Sequence, residues 1–267
     1  MKTQPFRENV IVITGASYGI GKHLALQFAA RGAWLALAAR SADRLDQVSQ
    51  LCRRRGGKSL VIPTDVGEKS QCRNLIARTV AAYGRVDTLI NNAGFGLAAR
   101  FDALDDLALF EKVIQVNFFG SVYCTHYALP YLKESRGRLV AVSSLLGRLP
   151  SAAANGYSAS KHALAGFFDS LRIELSGSGV SVTVIYPGWV NTGISSRTLN
   201  VAGEQTGTIS SHEKDAMPVD DCARLIVRAA AARKREVVMT AQGKYGLWLR
   251  LIAPGVVDRM IKNSVEG

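Results

Sequence analysis

The sequence predicts an α/β fold in which a doubly wound, parallel seven-stranded sheet is flanked by helices on both faces. Short apolar runs alternate with longer amphipathic stretches along most of the chain, the order expected of right-handed βαβ units. The apolar runs are continuous rather than interrupted by polar residues, which is typical of strands with two buried faces. The length of 267 residues and the hydrophobic content of 48% suit one core, so a single domain over residues 1–267 is expected.

The predicted elements follow one another along the chain without a linker or an internal repeat. Apolar residues recurring every three or four positions distinguish the helices from the continuous apolar strands. The predicted strands are residues 10–13, 34–38, 59–63, 88–90, 139–142, 180–185 and 237–239. The predicted helices lie at about residues 20–29, 42–55, 69–83, 106–133, 158–175 and 219–232.

Two segments interrupt this alternation. Residues 193–217 are polar and rich in Ser, Thr and Gly, and a loop of that length is typical of a functional lid, so a mobile substrate flap is predicted there. Residues 246–262 place apolar side chains along one helical face, with Pro254 expected to kink or delimit the helix. Packing on the domain or on a sister subunit is the first interpretation of this amphipathic segment. Weak contact with a membrane surface through Trp248 and neighbouring Lys and Arg residues is the alternative.

The composition narrows the classes of partner and compartment. A formal charge of +12 suits a phosphorylated ligand, a nucleic acid or an anionic membrane surface. The sequence contains no recognisable helix-turn-helix, zinc module or basic–aromatic stripe, so nucleic acid is not expected as a partner. The four cysteines are far apart and form no CxxC pair, which argues against a metal site and for reduced thiols in the cytoplasm. The polar segment before residue 10 predicts neither a signal peptide nor a spanning anchor.

A glycine-rich turn, Thr-Gly-Ala-Ser-Tyr-Gly-Ile-Gly over residues 14–21, connects the first strand to the first helix. Glycines permit a sharp turn and a close approach to a pyrophosphate, whose charge is attracted by the N-terminus of the helix. The spacing is G-x-x-x-G-x-G, and a plain glycine-rich turn is the alternative. The strand–turn–helix context favours a dinucleotide site of the Rossmann type. Its predicted contacts are Gly15, Ser17, Tyr18, Gly19, Ile20 and Gly21.

The end of the second strand indicates which dinucleotide is bound. A carboxylate there would accept hydrogen bonds from the ribose 2′-hydroxyl of NAD, whereas a basic group would pair with the 2′-phosphate of NADP. Arg40 follows the strand and no acidic residue stands at the strand end, so NADP(H) is favoured over NAD(H). A solvated surface arginine is the other interpretation of Arg40. Asp65 and Val66, after the third strand, are predicted to bracket the adenine, unless Asp65 only begins a helix.

Tyr157 and Lys161 are spaced four apart in a predicted helix and therefore share one face. A free tyrosine has a pKa of about 10, too high for efficient proton transfer at neutral pH, and a neighbouring ammonium is expected to lower it. The pair could then give a proton to a carbonyl oxygen or remove one from an alcohol. Ser144 ends a predicted strand, where α/β sheets place their chemistry, and its hydroxyl could orient the substrate oxygen.

Together these motifs resemble those of the classical short-chain dehydrogenase/reductase family, and residues 14–21 and 142–147 are similar to its hydroxysteroid-dehydrogenase-like branch. Any one motif is weak, but their order and spacing match the family over residues 10–192. The matching positions are the glycine-rich turn, Asp65, Asn91-Asn92-Ala93-Gly94, Asn117, Ser143-Ser144, Tyr157-Ser158-Ala159-Ser160-Lys161, Pro187-Gly188 and Thr192.

The resemblance implies a role for each matching residue. Tyr157 would be the general acid/base, Lys161 would bind the nicotinamide ribose and tune Tyr157, and Ser144 would position the substrate oxygen. Asn117 would hold a water that links Lys161 to solvent, or it is a satisfied buried amide. Tyr18 departs from the pattern, because NADP-preferring members often carry a second basic residue there. Further cofactor contacts implied by the resemblance are Asn91, Ala93, Gly94, Pro187, Gly188, Val190 and Thr192.

The sequence therefore predicts an NADP(H)-dependent oxidoreductase that acts on a hydrophobic ketone, aldehyde or secondary alcohol. A homodimer or homotetramer is what the resemblance implies for its assembly. A non-catalytic dinucleotide sensor or scaffold is the alternative function, and an intact catalytic set argues against it. Apolar residues near the predicted site favour a hydrophobic substrate, whose expected contacts are Ser144, Leu146, Tyr157 and Trp189.

Overall fold

A sheet of seven parallel strands forms the centre of the computed structural model, which describes residues 5–193, 197–207 and 216–266. Along the chain the strands are β1 Val10–Thr14, β2 Trp34–Ala39, β3 Lys58–Pro63, β4 Thr88–Asn91, β5 Arg138–Val142, β6 Ser181–Tyr186, β7 Val190–Asn191, β8 Met217–Pro218 and β9 Glu236–Val238. The sheet order is β3-β2-β1-β4-β5-β6-β9, with every neighbouring pair parallel. The predicted parallel seven-stranded sheet is confirmed.

Helices cover both faces of this sheet. The helices along the chain are α1 Gly19–Ala29, α2 Ala42–Arg54, α3 Lys69–Tyr83, α4 Ala108–Ile114, α5 Gly120–Glu134, α6 Asn155–Glu174, α7 Val219–Ala231, α8 Ala241–Ile252 and α9 Pro254–Glu266. Successive β1 residues point to opposite faces. Ile11 and Ile13 therefore belong to the cluster formed with α1, α2 and α7, while Val12 belongs to the cluster formed with α3, α5 and α6. Burial on both faces explains the continuous apolar strands.

The chain changes direction across the sheet between β1 and β4. From β1 it passes outward to β2 and β3, and it then returns to place β4 on the other side of β1. In open α/β sheets, ligands bind in the crevice at such a reversal, beyond the carboxyl ends of the strands. The glycine-rich turn after β1 and the residues that follow β4 therefore lie side by side at this crevice.

The region 106–133, predicted as one helix, is divided in the structure. It consists of α4, a π-helical turn at Gln115–Phe119 and α5. Such a turn widens the helix locally and is frequent at functional sites. The sequence pattern did not reveal it, because one widened turn changes the spacing of apolar residues very little. The turn carries Asn117, one of the predicted catalytic residues.

Two helices follow the last strand. α8 begins before the predicted amphipathic segment at 246–262, and Pro254 occupies the first position of α9, where its missing N–H costs no helical hydrogen bond. The sequence left open whether Pro254 kinks or delimits a helix. In the structure it delimits one, because α9 begins at this residue. α8 packs against the turn after β5, because a Cβ atom added to Gly243 would lie 2.6 Å from a methyl carbon of Leu145.

Part of the predicted flap, residues 197–207, lies against the loop after β4. Leu199 donates its N–H to the Gly96 carbonyl at 3.0 Å and accepts a hydrogen bond from the Ala98 N–H at 2.9 Å. The short β7 and β8 pair in parallel at the two ends of the segment. Residues 194–196 and 208–215 of the predicted flap lie outside the described residues. Within the described ranges, no helix combines the length and the hydropathy needed to cross a membrane.

Candidate active site

The turn after β1 brings the first turn of α1 very close to the strand. Gly15 has a φ of +66°, which residues with a Cβ atom rarely adopt, and a Cβ atom added to Gly21 would lie 2.2 Å from the Gly15 carbonyl oxygen. Ser17 and Ile20 are partly exposed in the same turn. Tyr18, the N-cap residue, makes no side-chain cap hydrogen bond. The first N–H groups of α1 therefore need another acceptor, and a phosphate would satisfy both them and the helix dipole.

Asn92, for which no individual role was predicted, connects the end of β4 to this turn through hydrogen bonds. Its Nδ2 atom donates to the Thr14 carbonyl oxygen at 2.9 Å, and the backbone N–H groups of Asn92 and Ala93 both donate to the Thr14 hydroxyl at 3.0 Å. A Cβ atom added to Gly15 would lie 2.9 Å from the Ala93 Cα atom. The predicted cofactor residues Gly15 and Ala93 are thus in contact. The sequence signal for Asn92 is its position inside the Asn91–Gly94 motif.

Two other predicted cofactor residues have structural partners of their own, and a third is buried. Asn91 is buried, with 1% of its surface exposed, and its Nδ2 atom donates to the Thr125 hydroxyl at 2.9 Å. Asp65 accepts a hydrogen bond from the Gly67 N–H at 2.9 Å in the turn before α3, which corresponds to its alternative role at a helix entry. Val66 is also buried. Adenine contacts from Asp65 and Val66 stay a prediction.

The segment that follows β6 returns to the glycine-rich turn. A Cβ atom added to Gly19 would lie 3.0 Å from the Thr192 Cβ atom, so Thr192 covers the start of α1. The Pro187 carbonyl oxygen accepts a hydrogen bond at 2.9 Å from the backbone of the turn after β5. Gly188 is partly buried and Val190 is buried within the same segment. The ends of β1, β4, β5 and β6 therefore contribute to one site.

Lys161 is buried near Tyr157 on α6. Its Nζ atom donates to the Val142 carbonyl oxygen at 3.1 Å and lies 5.6 Å from the centroid of the Tyr157 ring. Only 4% of the lysine surface is exposed, and this burial lowers its pKa from 10.5 to about 8. An ammonium carries three donors, so those not used on Val142 can serve a ligand or a water molecule.

Tyr157 has a raised pKa, contrary to the expected lowering by Lys161. Burial of the phenol raises the pKa above its ordinary value of 10.0, and a hydrogen bond with the Ser144 side chain opposes this rise. The protein without a ligand therefore favours the protonated phenol, because removal from water disfavours a phenolate more than this hydrogen bond stabilises it. Ser144 Oγ also accepts a hydrogen bond from the Leu146 N–H at 3.2 Å, which fixes the serine beside the tyrosine.

Asn117 connects the π-helical turn to both the loop after β4 and α6. Its Oδ1 atom accepts from the Phe95 N–H, and its Nδ2 atom donates to the Phe95 carbonyl and to the Ser160 hydroxyl, each at 3.0 Å. A Cβ atom added to Gly94 would lie 2.9 Å from Asn117 Oδ1 and 3.5 Å from Lys161 Nζ. The structure thus brings Asn117, Lys161 and the predicted cofactor residue Gly94 together. Asn117 is also fully satisfied as a buried amide, so both stated interpretations fit its contacts.

The predicted substrate residues follow the ends of β5 and β6. Leu146 is partly exposed in the short 3₁₀ turn that Ser144 caps. Trp189 follows the end of β6 and exposes 51% of its surface. α8 borders the same turn through Gly243 and Leu145. Apolar surface beside a few polar groups is typical of a pocket for a hydrophobic small molecule.

Beyond Arg40, two further arginines lie close together around Tyr18, and the sequence analysis did not predict this cluster of positive charge. Arg40 directly follows β2 and is exposed. The guanidinium carbons of Arg44 and Arg197 each lie 4.4 Å from the centroid of the Tyr18 ring. Neither arginine was predicted to be functional. The position of Arg44, four residues after Arg40, was a usable signal, whereas Arg197 comes from an irregular segment whose contacts no periodic pattern predicts.

Comparisons with known proteins agree with this geometry. Residues 9–201 match the family model described as short chain dehydrogenase. The chain is 36% identical over 265 residues to 11-beta-hydroxysteroid dehydrogenase 1A of Arabidopsis thaliana, covering 95% of this chain and 75% of that protein. It is 35% identical over 257 residues to 11-beta-hydroxysteroid dehydrogenase A of Sesamum indicum, covering 93% of this chain and 73% of that protein.

Two solved structures share the architecture. A short chain dehydrogenase/reductase from Burkholderia phymatum in complex with NAD is 25% identical, with a TM-score of 0.84 over 94% of this chain and 96% of that one. An alcohol dehydrogenase from Thermococcus sibiricus, complexed with 5-hydroxy-NADP, is 27% identical, with a TM-score of 0.75 over 86% of this chain and 94% of that one. Both similar structures hold a dinucleotide.

Proposed function

The chain belongs to the short-chain dehydrogenase/reductase family, and on that premise we propose that it is an NADP(H)-dependent oxidoreductase for hydrophobic ketones, aldehydes or secondary alcohols. Membership makes it an oxidoreductase that acts on CH–OH groups with an NAD(P) dinucleotide. The proposal adds the choice of NADP(H), the hydrophobic substrate and the residues that carry out the reaction.

Tyr157 acts as the proton donor to the carbonyl oxygen in this proposal. The phenol is protonated at neutral pH and so has a proton to donate in reduction. Because burial raises the pKa in the ligand-free protein, efficient transfer requires this pKa to fall when cofactor and substrate bind. Ser144 Oγ accepts from the Leu146 N–H, so its own hydroxyl hydrogen is available to a substrate oxygen or to Tyr157. A bound nicotinamide supplies or accepts the hydride at the substrate carbon.

Lys161 and Asn117 act as binding and positioning groups. The remaining Lys161 donors suit the hydroxyl groups of a nicotinamide ribose, and Asn117 holds the loop after β4 against α6 through Phe95 and Ser160. The observation that carries the proposal is the approach of Gly94 to both Asn117 Oδ1 and Lys161 Nζ, because it joins the predicted cofactor loop to the predicted catalytic helix.

The proposed cofactor and substrate rest on different observations. Arg40, exposed at the end of β2, favours the 2′-phosphate of NADP(H), and NAD(H) is the alternative cofactor. The hydrophobic substrate is supported by Leu146 next to Ser144, by the exposed Trp189 after β6 and by the names of the related plant proteins, which are 11-beta-hydroxysteroid dehydrogenases. A steroid or another extended lipid carbonyl is the substrate class that fits best.

The experiment that tests the proposal is a measurement of NADPH and NADH consumption with a panel of aldehydes, keto-steroids, keto-lipids and quinones. We expect NADPH to be consumed with at least one hydrophobic carbonyl, and more slowly with short polar carbonyls. Binding of NADPH without turnover of any member of the panel would support the alternative, a non-catalytic sensor or scaffold. Faster turnover with NADH than with NADPH would contradict the cofactor assignment alone.

A further inference from the structure

Tyr18 is contacted by two arginines that come from distant parts of the chain. Arg44 lies in the first turns of α2, whereas Arg197 follows β7. Each guanidinium carbon is 4.4 Å from the Tyr18 ring centroid, so the two carbons are at most twice that distance apart. Both contacts are cation–π interactions, for which arginine is well suited. The tyrosine therefore holds two positive charges near the first turn of α1.

Arg197 is held in place by the backbone as well as by the ring. Its Nε atom donates to the Gly193 carbonyl at 3.0 Å, and one terminal nitrogen donates to the Thr192 carbonyl at 2.9 Å. Thr192 itself covers Gly19 at the start of α1. A guanidinium has five N–H donors, so Arg197 keeps donors beyond these two bonds. Its position is therefore set before any ligand arrives.

The two positive charges repel each other, and neither is paired with a carboxylate in the part of the chain that the structure describes. Burial lowers the pKa of Arg197, and the charge of Arg44 lowers it further, while Tyr18 opposes the shift. Among residues 5–193, 197–207 and 216–266, neither arginine forms an ion pair with a carboxylate. Two like charges held at this distance favour the binding of an anion between or beside them.

We propose that Arg44 and Arg197, arranged around Tyr18, bind the 2′-phosphate of NADP(H) and determine the preference for this cofactor. The inference rests on the proposed function. It adds two residues to Arg40 as groups that bind the 2′-phosphate. Tyr18 immediately precedes α1, and α2 follows the strand end where the adenosine ribose of a dinucleotide lies in this fold. Arg44 and Arg197 thus supply the positive charge that Tyr18 lacks. A pyrophosphate contact is the competing assignment, and it would not depend on the 2′-phosphate.

The test is isothermal titration of 2′,5′-ADP and 5′-AMP into the full chain and into Arg44→Ala and Arg197→Ala. The two nucleotides share the adenosine and the 5′-phosphate and differ in the 2′-phosphate. We expect each variant to bind 2′,5′-ADP about tenfold or more weakly and to bind 5′-AMP within about twofold of the wild-type affinity. Arg54→Ala removes the same charge from the exposed last turn of α2, and it should leave both affinities within about twofold.

Arg197→Lys keeps the charge but cannot reproduce the fork of hydrogen bonds, so an intermediate loss is expected for 2′,5′-ADP. Equal losses for both nucleotides in Arg197→Ala would overturn the proposal, because they would identify a pyrophosphate contact or a purely structural role. Losses in Arg44→Ala no larger than those in Arg54→Ala would also overturn it. Titration needs no carbonyl substrate, so a protein that shows the expected losses but reduces no carbonyl would contradict only the proposed reaction.

Discussion

Gly21 packs so tightly on Gly15 that a single methyl group between them would lie 2.2 Å from the Gly15 carbonyl oxygen. This contact determines how closely α1 approaches β1, and so how far its N-terminus projects into the crevice at the carboxyl ends of the strands. Only glycine is compatible with it, because atoms of the backbone, rather than a flexible side chain, occupy the space. The close approach of α1 to β1 therefore depends on the absence of two side chains, and this approach forms the proposed dinucleotide site.

Gly21→Ala should destabilise the protein and weaken dinucleotide binding. The added methyl must push α1 away from the turn, and such overpacking costs about 1–3 kcal/mol. Gly166→Ala is the matched control, because Gly166 is exposed in α6 and a Cβ atom there meets nothing within 4 Å. That control should gain up to about 1 kcal/mol from helix propensity. Urea unfolding and titration of NADPH test both, and unimpaired NADPH binding by Gly21→Ala would argue against the proposed dinucleotide site.

Tyr157→Phe should remove most turnover while leaving NADPH affinity within about twofold, because only the proton donor is lost. General acid catalysis by a positioned group contributes about a hundredfold or more to the rate. Tyr83→Phe is the matched control, since it deletes a phenol that bonds the Leu35 carbonyl of the sheet instead. Steady-state kinetics with a reactive carbonyl provide the measurement. A Tyr157→Phe enzyme with a normal rate would show that the proton comes from another group.

The sequence was sufficient to predict the arrangement of strands and helices, because each strand is buried on both faces and each covering helix needs an apolar stripe. It was also sufficient to group residues from β1, β4, β5 and β6, since parallel strands end at one edge of the sheet. The interruption of the predicted long helix by the π-helical turn at Gln115–Phe119 was missed. One widened turn shifts the apolar pattern too little to be recognised.

Electrostatic and long-range contacts were harder to predict than topology. The pKa of Tyr157 was expected to fall because of Lys161, yet burial raises it, and burial depends on packing that the local pattern does not reveal. Asn92 was missed because its contacts with Thr14 join two strands distant in sequence. Arg197 was missed for a similar reason, because an irregular segment carries it to Tyr18.

Asn117→Ala should lower the free energy of unfolding by about 1–3 kcal/mol, because buried partners in Phe95 and Ser160 lose their hydrogen bonds. If Asn117 also positions Lys161, turnover of the folded variant should fall more than its NADPH affinity. Asn74→Ala, on the exposed side of α3, is the control and should change stability by less than about 0.5 kcal/mol. Loss of stability with unchanged turnover would restrict Asn117 to the structural role of a satisfied buried amide.

Arg40→Asp should shift cofactor preference from NADPH toward NADH. The carboxylate repels a 2′-phosphate and can accept hydrogen bonds from a ribose 2′-hydroxyl. Hydrogen bonds to charged groups contribute about 1.5–3 kcal/mol, so the ratio of the two affinities should change by about tenfold or more. Arg54→Asp makes the same charge change at the exposed end of α2. It therefore controls for the effect of the altered net charge on cofactor affinity. Equal shifts in both variants would reject a direct role for Arg40.

Lys161→Met should alter how the stability of the cofactor-free protein depends on pH. The pKa of Lys161 is about 8 in the folded protein, against 10.5 for an ordinary lysine. Well below pH 8 both states are protonated, and the wild type bears the full cost of a buried ammonium. As the pH rises from about 8 to 10.5, the folded state loses its proton first, so the unfolding free energy of the wild type rises relative to the variant.

This relative gain should approach about 3 kcal/mol in total, since each pKa unit corresponds to about 1.4 kcal/mol. Methionine retains the aliphatic stem of the lysine and removes the titrating group, so other groups that titrate in this range cancel in the comparison. Urea unfolding of both proteins between about pH 7 and about pH 10 measures the difference. A difference that stays constant, or that falls with rising pH, would mean that the folded protein does not bury an ammonium at this position.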